Sequence, residues 1–528
     1  MLKSFSLVAS LAIISAVNAL PLNPFNYFQN PFVIGDSDRE VNIDSWYYDL
    51  PVIETEALQA LINKEGLEAR AEKLYNISKS STKLLGHPTR VIGSEGHWGT
   101  IHYITAELRK LGGYYKVETQ TLTAIDGKVN SYSLLLDGLQ PASVYPLSLT
   151  PATKDYRPVH GDLILVDNFG CSLEDFPSNT VGNIVLVKRG ECAFGDKSIN
   201  AGLSGALGAI IYDPNEDSPL HGTLGDDPTG NEVATVSISK SDAEPIIAKL
   251  AGGDQVETTL YVDAYVKNIS TLNVIAETTF GDHDNVVSLG AHSDSVFEGP
   301  GINDDGSGTI SLLEVAKYLS HFQVNNAVRF AWWAAEEEGL IGSTWYAESL
   351  SPAENQKLRF FLDYDMMASP NYEYEVYDAN NVDHPNGSGD IKDLFIDWYT
   401  EHGYNYTLVP FDGRSDYVGF IDVGIPAGGI ATGAEGIKDK KSQAKFGGKV
   451  GHQFDDCYHQ LCDDLSNPDY EAWVVNTKLI AHSVAKFANS FEGFPVREAP
   501  SKEGTAGVES AKGKVSDGFK YRGSKLII

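Results

Sequence analysis

The chain has 528 residues, with 40 Lys and Arg against 72 Asp and Glu and a formal net charge of −32. That length exceeds one ordinary hydrophobic core and implies two or three domains. The acidic balance excludes nucleic-acid binding through phosphate neutralisation, which needs clustered Lys and Arg, and suits an acidic lumen or an extracellular medium.

Residues 1–19 combine a basic Lys3, an apolar run from Phe5 to Val17 and small residues at Val17 and Ala19, the pattern of a signal peptide. No later stretch is long and apolar enough to span a bilayer. The expected product has no membrane span and is secreted, with a vacuole lumen as the alternative, since both routes start from the same signal. Residues 20–55, rich in Pro, Asn and aromatics without periodicity, read as an N-terminal extension or propeptide. From Glu56, Leu58, Leu61, Ile62, Leu67, Ala71, Leu74 and Ile77 recur at mostly helical spacing. A second helix is expected over 98–111 and a strand over 114–121. The loop HPTRVIGSEGH lies between the helices, and its Gly93-Ser94 pair leads into the second. Residues 56–142 thus read as the first part of the main domain.

Over 143–268 the texture changes to short β runs, at 162–166 and 183–188, followed by a small-residue helix and an apolar strand within 199–213. This reads as an inserted β-rich module, after which a strand over 271–276 resumes. Residues 269–495 alternate strand, loop and helix, with strands expected at 286–291, 327–333, 358–364 and 425–430 and a helix at 310–319 that is apolar on more than one face. Ser343 is the expected cap of the helix after the second of these strands. The alternation predicts an α/β fold with a mostly parallel, mixed sheet flanked by helices. Residues 496–528, rich in Gly, Ser and Lys, read as a disordered tail.

Cys171, Cys192, Cys457 and Cys462 form an even set in an oxidising compartment, so two disulfides are expected. Proximity favours Cys171 with Cys192 and Cys457 with Cys462, and three pairings stay open. Sequons at Asn76, Asn268, Asn386 and Asn405 fit a secretory route and are expected on surface loops.

Candidate chemistry gathers where the apolar strands end, the rim at which open α/β sheets place functional side chains. The first strand leads to His292 and Asp294, and GINDDGSG follows with Asp304 and Asp305. The second leads to Glu336 and Glu337 in AWWAAEEEGLIGS, the third to Asp365 in LDYDMM, and CYHQLC carries His459. Singly, each has a bland reading: a hydrogen-bonded core histidine, a solvated acidic face, a turn cap. Together, acids and histidines after three apolar strands point to metal. Imidazole and carboxylate mixtures suit Zn²⁺, and a shared carboxylate makes a two-metal site. Trp332 and Trp333 read as core packing. GINDDGSG lacks the Lys and spacing of a phosphate loop, and its glycines permit a tight turn that presents Asp304.

The stretches HSDSV, GINDDGSG, FAWWAAEEEGLIGS, DYDMM, DGRSDY and CYHQLCDD, in that order over 292–464, closely resemble the M28 family of cocatalytic dizinc aminopeptidases, within it the aminopeptidase Y and secreted fungal leucine aminopeptidase group. VGNIVLVKRGECAFGDKSINAGLSGALGAIIYDP resembles a protease-associated (PA) domain, which accompanies that group. The resemblance implies the zinc exopeptidase fold and a zinc-dependent aminopeptidase. Such an enzyme releases N-terminal amino acids from peptides through a metal-bridging hydroxide with a Glu general base. It implies two Zn²⁺ per chain and a monomer acting on peptides or proteins with a free N-terminus. Carried over by position, His292 and Asp365 would hold one zinc, Glu337 and His459 the other, and Asp304 both. Glu336 would be the general base, Tyr458 a donor to the developing oxyanion, Asp294 the carboxylate orienting the His292 ring, and Arg414 a substrate-side residue. Glu336 and Asp365 would attract the substrate ammonium. The PA module would shape access to the cleft and carry no catalytic residue.

Three rival readings are weighed. A receptor with a decayed metal site would lack one of His292, Asp304, Glu337, Asp365 or His459, and all are present. A carboxypeptidase would need a basic pocket, which Arg414 alone does not make. A one-zinc glutaminyl cyclase is disfavoured by the full ligand set. Glu338 and Ser293 depart from the family pattern and leave the side-chain preference open.

Overall fold

The computed structural model describes residues 46–497 except 216 and 226–229. The signal peptide, most of the N-terminal extension and nearly all of the tail lie outside the described residues. The apolar recurrence after Glu56 forms two helices, Thr55–Gln59 and Lys64–Ser78. Asn63 separates them by capping the second, its side chain accepting the Gly66 N–H at 2.9 Å. After a short helix at Thr82–Leu85, a longer one runs Glu95–Arg109, starting before Trp98 because the Ser94 hydroxyl caps it by accepting the His97 N–H at 3.1 Å.

Strand β1 (Tyr115–Leu136) does not stop near Thr121 but runs for 22 residues. The module that follows contributes β2 (Tyr145–Pro146), β3 (Val159–Leu165), β4 (Ile184–Lys188), β5 (Gly208–Tyr212) and β6 (Thr235–Ile238). Its core is Leu163, Leu186, Ile210, Val236 and Leu260 with their neighbours. Strand β7 (Glu257–Thr278), also 22 residues, pairs antiparallel with β1 along its length and passes unbroken through 268. The two make a long ribbon that ties the module to the rest of the sheet. Neither strand keeps a two-residue alternation along its length, β7 being exposed over 265–268, which is why periodicity registers only parts of the ribbon.

The remaining strands are β8 (Asp282–His292), β9 (Asn326–Trp333), β10 (Leu358–Tyr364), β11 (Glu375–Tyr377), β12 (Thr407–Val409) and β13 (Ala427–Ala431). Pairing runs β12-β11-β13-β10-β8-β9-β7 and continues through β3 into the module. The pairs β10–β8, β8–β9 and β10–β13 are parallel, whereas β7–β9 and β11–β13 are antiparallel. The sheet is therefore mixed and mostly parallel at its centre. Helices Gly306–Leu319 and Tyr470–Asn489 cover it, and nearly every residue of β8 to β10 around the site is buried. Trp332 and Trp333 are core residues, and the Trp332 indole donates to Thr309 O at 3.1 Å.

Ser343 is not a helix cap. The helix is Ile341–Ser349, its cap position is Leu340 in a left-handed conformation (φ 57°), and the Ser343 hydroxyl donates back to Leu340 O at 3.2 Å. The tight turn over 336–340, closed by N–H bonds from Gly339 and Leu340 to Glu336 O at 2.8 Å, delivers the chain directly into the helix. Disulfides join Cys171 to Cys192 and Cys457 to Cys462. All four sequon asparagines are exposed, but Asn76 lies in a helix and Asn268 in β7 instead of loops. Among the described residues no helix is long and apolar enough to cross a membrane.

Candidate metal centre

Adjacent parallel strands β10, β8 and β9 end on one rim, and the side chains just past those ends converge there. β8 delivers His292, which is fully buried. The glycine-rich loop after it must turn sharply. Gly301 (φ 59°) faces the Asp304 carbonyl so closely that a Cβ would come within 2.2 Å, and a Cβ on Gly308 would come within 2.0 Å of Tyr364 O. Asp304 emerges from this turn with its two carboxylate oxygens divided: Oδ1 is 3.2 Å from His292 Nε2 and Oδ2 is 3.1 Å from His459 Nε2.

Around that axis the other candidates fall on two sides. Asp365 Oδ1 is 3.6 Å from His292 Nε2, and its Oδ2 accepts the Ser415 hydroxyl at 3.0 Å. Glu337 Oε2 is 3.2 Å from His459 Nε2, while Glu336 Oε2 is 3.8 Å from His292 Nε2. His459, in a left-handed conformation (φ 58°), sits in the loop closed by Cys457 and Cys462 and stacks on Tyr458 at 3.9 Å. Arg414 pairs with Glu435 at 2.7 Å. The structure thus brings all five expected ligands together and sets Glu336 among them.

Asp294 faces the His292 ring and also reaches the next strand end. Its Oδ1 is 3.8 Å from His292 Nδ1, beyond hydrogen-bond distance, and its carboxylate accepts the N–H groups of Glu336 and Glu337 at 3.4 and 3.3 Å. Its carboxylate thus spans the end of β8 and the paired glutamates after β9.

Asp305, a candidate from GINDDGSG, takes a supporting place, and two further supporting residues, Asp463 and Arg90, escaped the sequence reading. Asp305 caps the helix Gly306–Leu319 and accepts backbone N–H bonds from Gly308 at 2.8 Å, His292 at 3.1 Å and Met366 at 3.2 Å, joining the ends of β8 and β10. Asp463 accepts the N–H groups of Asn303 and Asp304. Arg90, fully buried, donates to the carbonyls of Ser293, Pro300 and Gly301 and places a cation beneath the acidic cluster. Burial lowers its pKa, opposed by the charges of Asp294, Asp305, Asp463 and Asp304. The one signal for Arg90 was its place in a loop just before a capped helix, and that signal carries no chemistry.

The donor set fits metal. His292, Asp304 and Asp365 form one group and Asp304, Glu337 and His459 another, with the potential ligand atoms of each group within 4.8 Å of one another. Burial disfavours a charged His292, yet Glu336, Asp294, Asp304 and Asp365 together lift its pKa well above the ordinary imidazole value. The centre has a surplus of buried negative charge that favours bound cations.

Residues 273–484 match peptidase family M28 and residues 159–246 match the PA domain. The chain is 50% identical to aminopeptidase Y of Saccharomyces cerevisiae over 491 residues, 91% of this chain and 88% of that protein. It is 41% identical to leucine aminopeptidase 2 of Trichophyton equinum over 458 residues, covering 86% and 90%. Among solved structures, an aminopeptidase from Aneurinibacillus sp. strain AM-1 is similar with a TM-score of 0.68 and 25% identity, covering 84% of this chain and 98% of that one. A zinc aminopeptidase from Bacillus subtilis shares the fold, with a TM-score of 0.54, 24% identity and coverage of 81% and 97%.

Proposed function

Since the chain belongs to peptidase family M28 and is a metallo-aminopeptidase of that family, we propose that it removes N-terminal residues from peptides with two zinc ions at the centre described above. His292 and Asp365 would hold one ion, Glu337 and His459 the other, and Asp304 both. The observation that carries this reading is the Asp304 carboxylate, with one oxygen toward each histidine.

Zinc, when bound, supplies the Lewis acidity that activates a water and polarises the scissile carbonyl. Glu336, buried at the end of β9, takes a proton from the attacking water and returns it to the leaving amine. Asp294 holds Glu336 and Glu337 in register through their amides. The Tyr458 hydroxyl donates to the carbonyl oxygen as negative charge grows on it. The carboxylates of Glu336 and Asp365 draw the ammonium of a free N-terminus, which sets the exopeptidase register. Arg414, held by Glu435, walls the substrate side.

We also infer a secretory route ending outside the cell or in a vacuole lumen. The N-terminal pattern of residues 1–19, the two disulfides and the four exposed sequons support it. The catalytic reading is tested with aminoacyl-p-nitroanilides, N-acetylated controls and carboxypeptidase substrates, each with chelator and with zinc restored. Free amines alone should be cleaved, and only with zinc. Equal cleavage of blocked and free amines rejects the reading.

A further inference from the structure

Beside the metal centre a crevice separates the inserted module from the catalytic part. Tyr145, His221 and Thr223 line one wall, and Glu298, Glu337 and His459 the other. Both walls are anchored. The Tyr145 and His221 rings stack at 3.9 Å, 10° from parallel. Tyr145 lies in β2 paired to β6, and the 222–224 segment is tied to Ser148, whose N–H bonds Gly222 O and whose carbonyl accepts from Leu224 N–H, both at 2.9 Å. Opposite, Glu298 is exposed at the crevice. It is held there by the backbone after it: the Pro300 carbonyl accepts from Arg90 Nε at 2.9 Å, and Gly299 packs so closely on Gln460 O that a Cβ would come within 2.1 Å. Tyr145, His459, Glu337 and His87 sense the Glu298 charge.

The crevice adjoins Glu337 and His459 but not Asp365 or Arg414. On the catalytic reading proposed above, on which this inference rests, the substrate ammonium lies at Glu336 and Asp365. The peptide then crosses Asp304 toward Glu337 and His459, and what enters the crevice is the chain that follows the cleaved bond. We propose that this crevice is the subsite for the residue after that bond, and that Glu298 selects a cationic side chain there. The preferred substrates are peptides whose second residue is Lys or Arg. Glu298 supplies the countercharge, and the stacked Tyr145–His221 pair supplies a flat ring surface beside it on which a Lys or Arg stem packs and against whose face its cation is favoured.

The test compares kcat/KM for leucine release from Leu-Lys-Ala-Ala, Leu-norleucine-Ala-Ala and Leu-Glu-Ala-Ala on the zinc-loaded full chain. An exposed ion pair predicts a preference for Lys over norleucine of about three- to fivefold, and disfavour of Glu by a similar factor. The preference should shrink with added salt. Glu298→Gln should bring the Lys to norleucine ratio close to one, and Glu298→Lys should invert the Lys to Glu order. Equal ratios in the wild type, or a Lys preference that survives in both variants, overturns the assignment. Leucine p-nitroanilide, which has no second residue, is run alongside. Failure to cleave it sinks the aminopeptidase reading itself, whereas cleavage with flat peptide ratios sinks only the crevice assignment.

Discussion

The Asp463 carboxylate accepts the backbone N–H of Asp304 at 3.0 Å, and its other oxygen accepts the neighbouring Asn303 N–H at 2.9 Å. Asp463 directly follows Cys462, so the loop that carries His459 and the loop that carries Asp304 are fastened to each other a few residues from both side chains. The geometry of the Asp304–His459 pair depends on that fastening.

Asp463→Ala should therefore weaken zinc binding by about 10- to 100-fold, the usual effect of losing a group that orients a metal ligand. Zinc titration against a competing chelator measures it. Unchanged affinity in a folded variant would show that the two loops hold their positions independently.

Arg90 should tolerate no substitution, even by Lys. Its planar fork reaches three carbonyls from three positions of one loop, which a single ammonium does not match. Carbonyls left without a donor in a buried site cost about 1–3 kcal/mol each, so Arg90→Lys is expected to lose about 3 kcal/mol in urea unfolding. A loss below about 1 kcal/mol would contradict the role given to Arg90.

Residues just before Glu56 belong to the folded body. Tyr47 stacks on Phe280 at 3.6 Å and its hydroxyl donates to Val324 O at 3.2 Å. Ile53 is fully buried and its N–H donates to Gln323 O at 3.0 Å. Any processing of the N-terminal extension should stop before Tyr47. A chain starting at Glu56 is expected to be less stable by about 4 kcal/mol, from the two buried side chains, than one starting at Trp46. Equal thermal stability of the two would refute this.

Lys197 gives the PA module a pH signature. It is fully buried, donates to Phe169 O at 2.6 Å and Gly190 O at 2.7 Å, and burial pushes its pKa from 10.5 down to about 8 against the pull of Glu191, Asp196 and Asp175. Between those two values the unfolded chain binds more protons than the folded one, so the Lys197 contribution to stability rises with pH, by up to about 3 kcal/mol. Lys197→Met should lack this rise when unfolding is followed from pH 7 to 10. Parallel pH profiles for wild type and variant would contradict it.

Three of the ligand-bearing segments were legible because each follows an apolar strand, and the strand ends at His292, Trp333 and Tyr364 set where their acids and histidine fall, whereas His459 was marked by its place in CYHQLC. The family resemblance divided those residues between two ions, and the structure sets Asp365 beside His292 on one side of Asp304 and Glu337 beside His459 on the other. What was not legible depends on contacts between loops distant in sequence. Nothing local marks Arg90 as a buried cation or Asp463 as the acceptor for Asn303 and Asp304. The hydrogen bonds of Asp294 to the Glu336 and Glu337 amides likewise arise only when β8 and β9 lie side by side. The cap at Leu340 was missed because a left-handed leucine has no sequence signal, whereas Ser343 has a familiar one. The β1–β7 ribbon was shortened because neither strand keeps a two-residue alternation along its whole length, β7 being exposed over 265–268.

The most direct measurement is the zinc content of purified wild type and Glu336→Gln, read together with turnover of leucine p-nitroanilide. Two zinc ions per chain are expected in both proteins, with turnover in the variant reduced by about a thousandfold or more, the scale expected for losing a general base. One zinc per chain in the wild type, or near-normal turnover in the variant, would contradict the two-ion centre with Glu336 as its base.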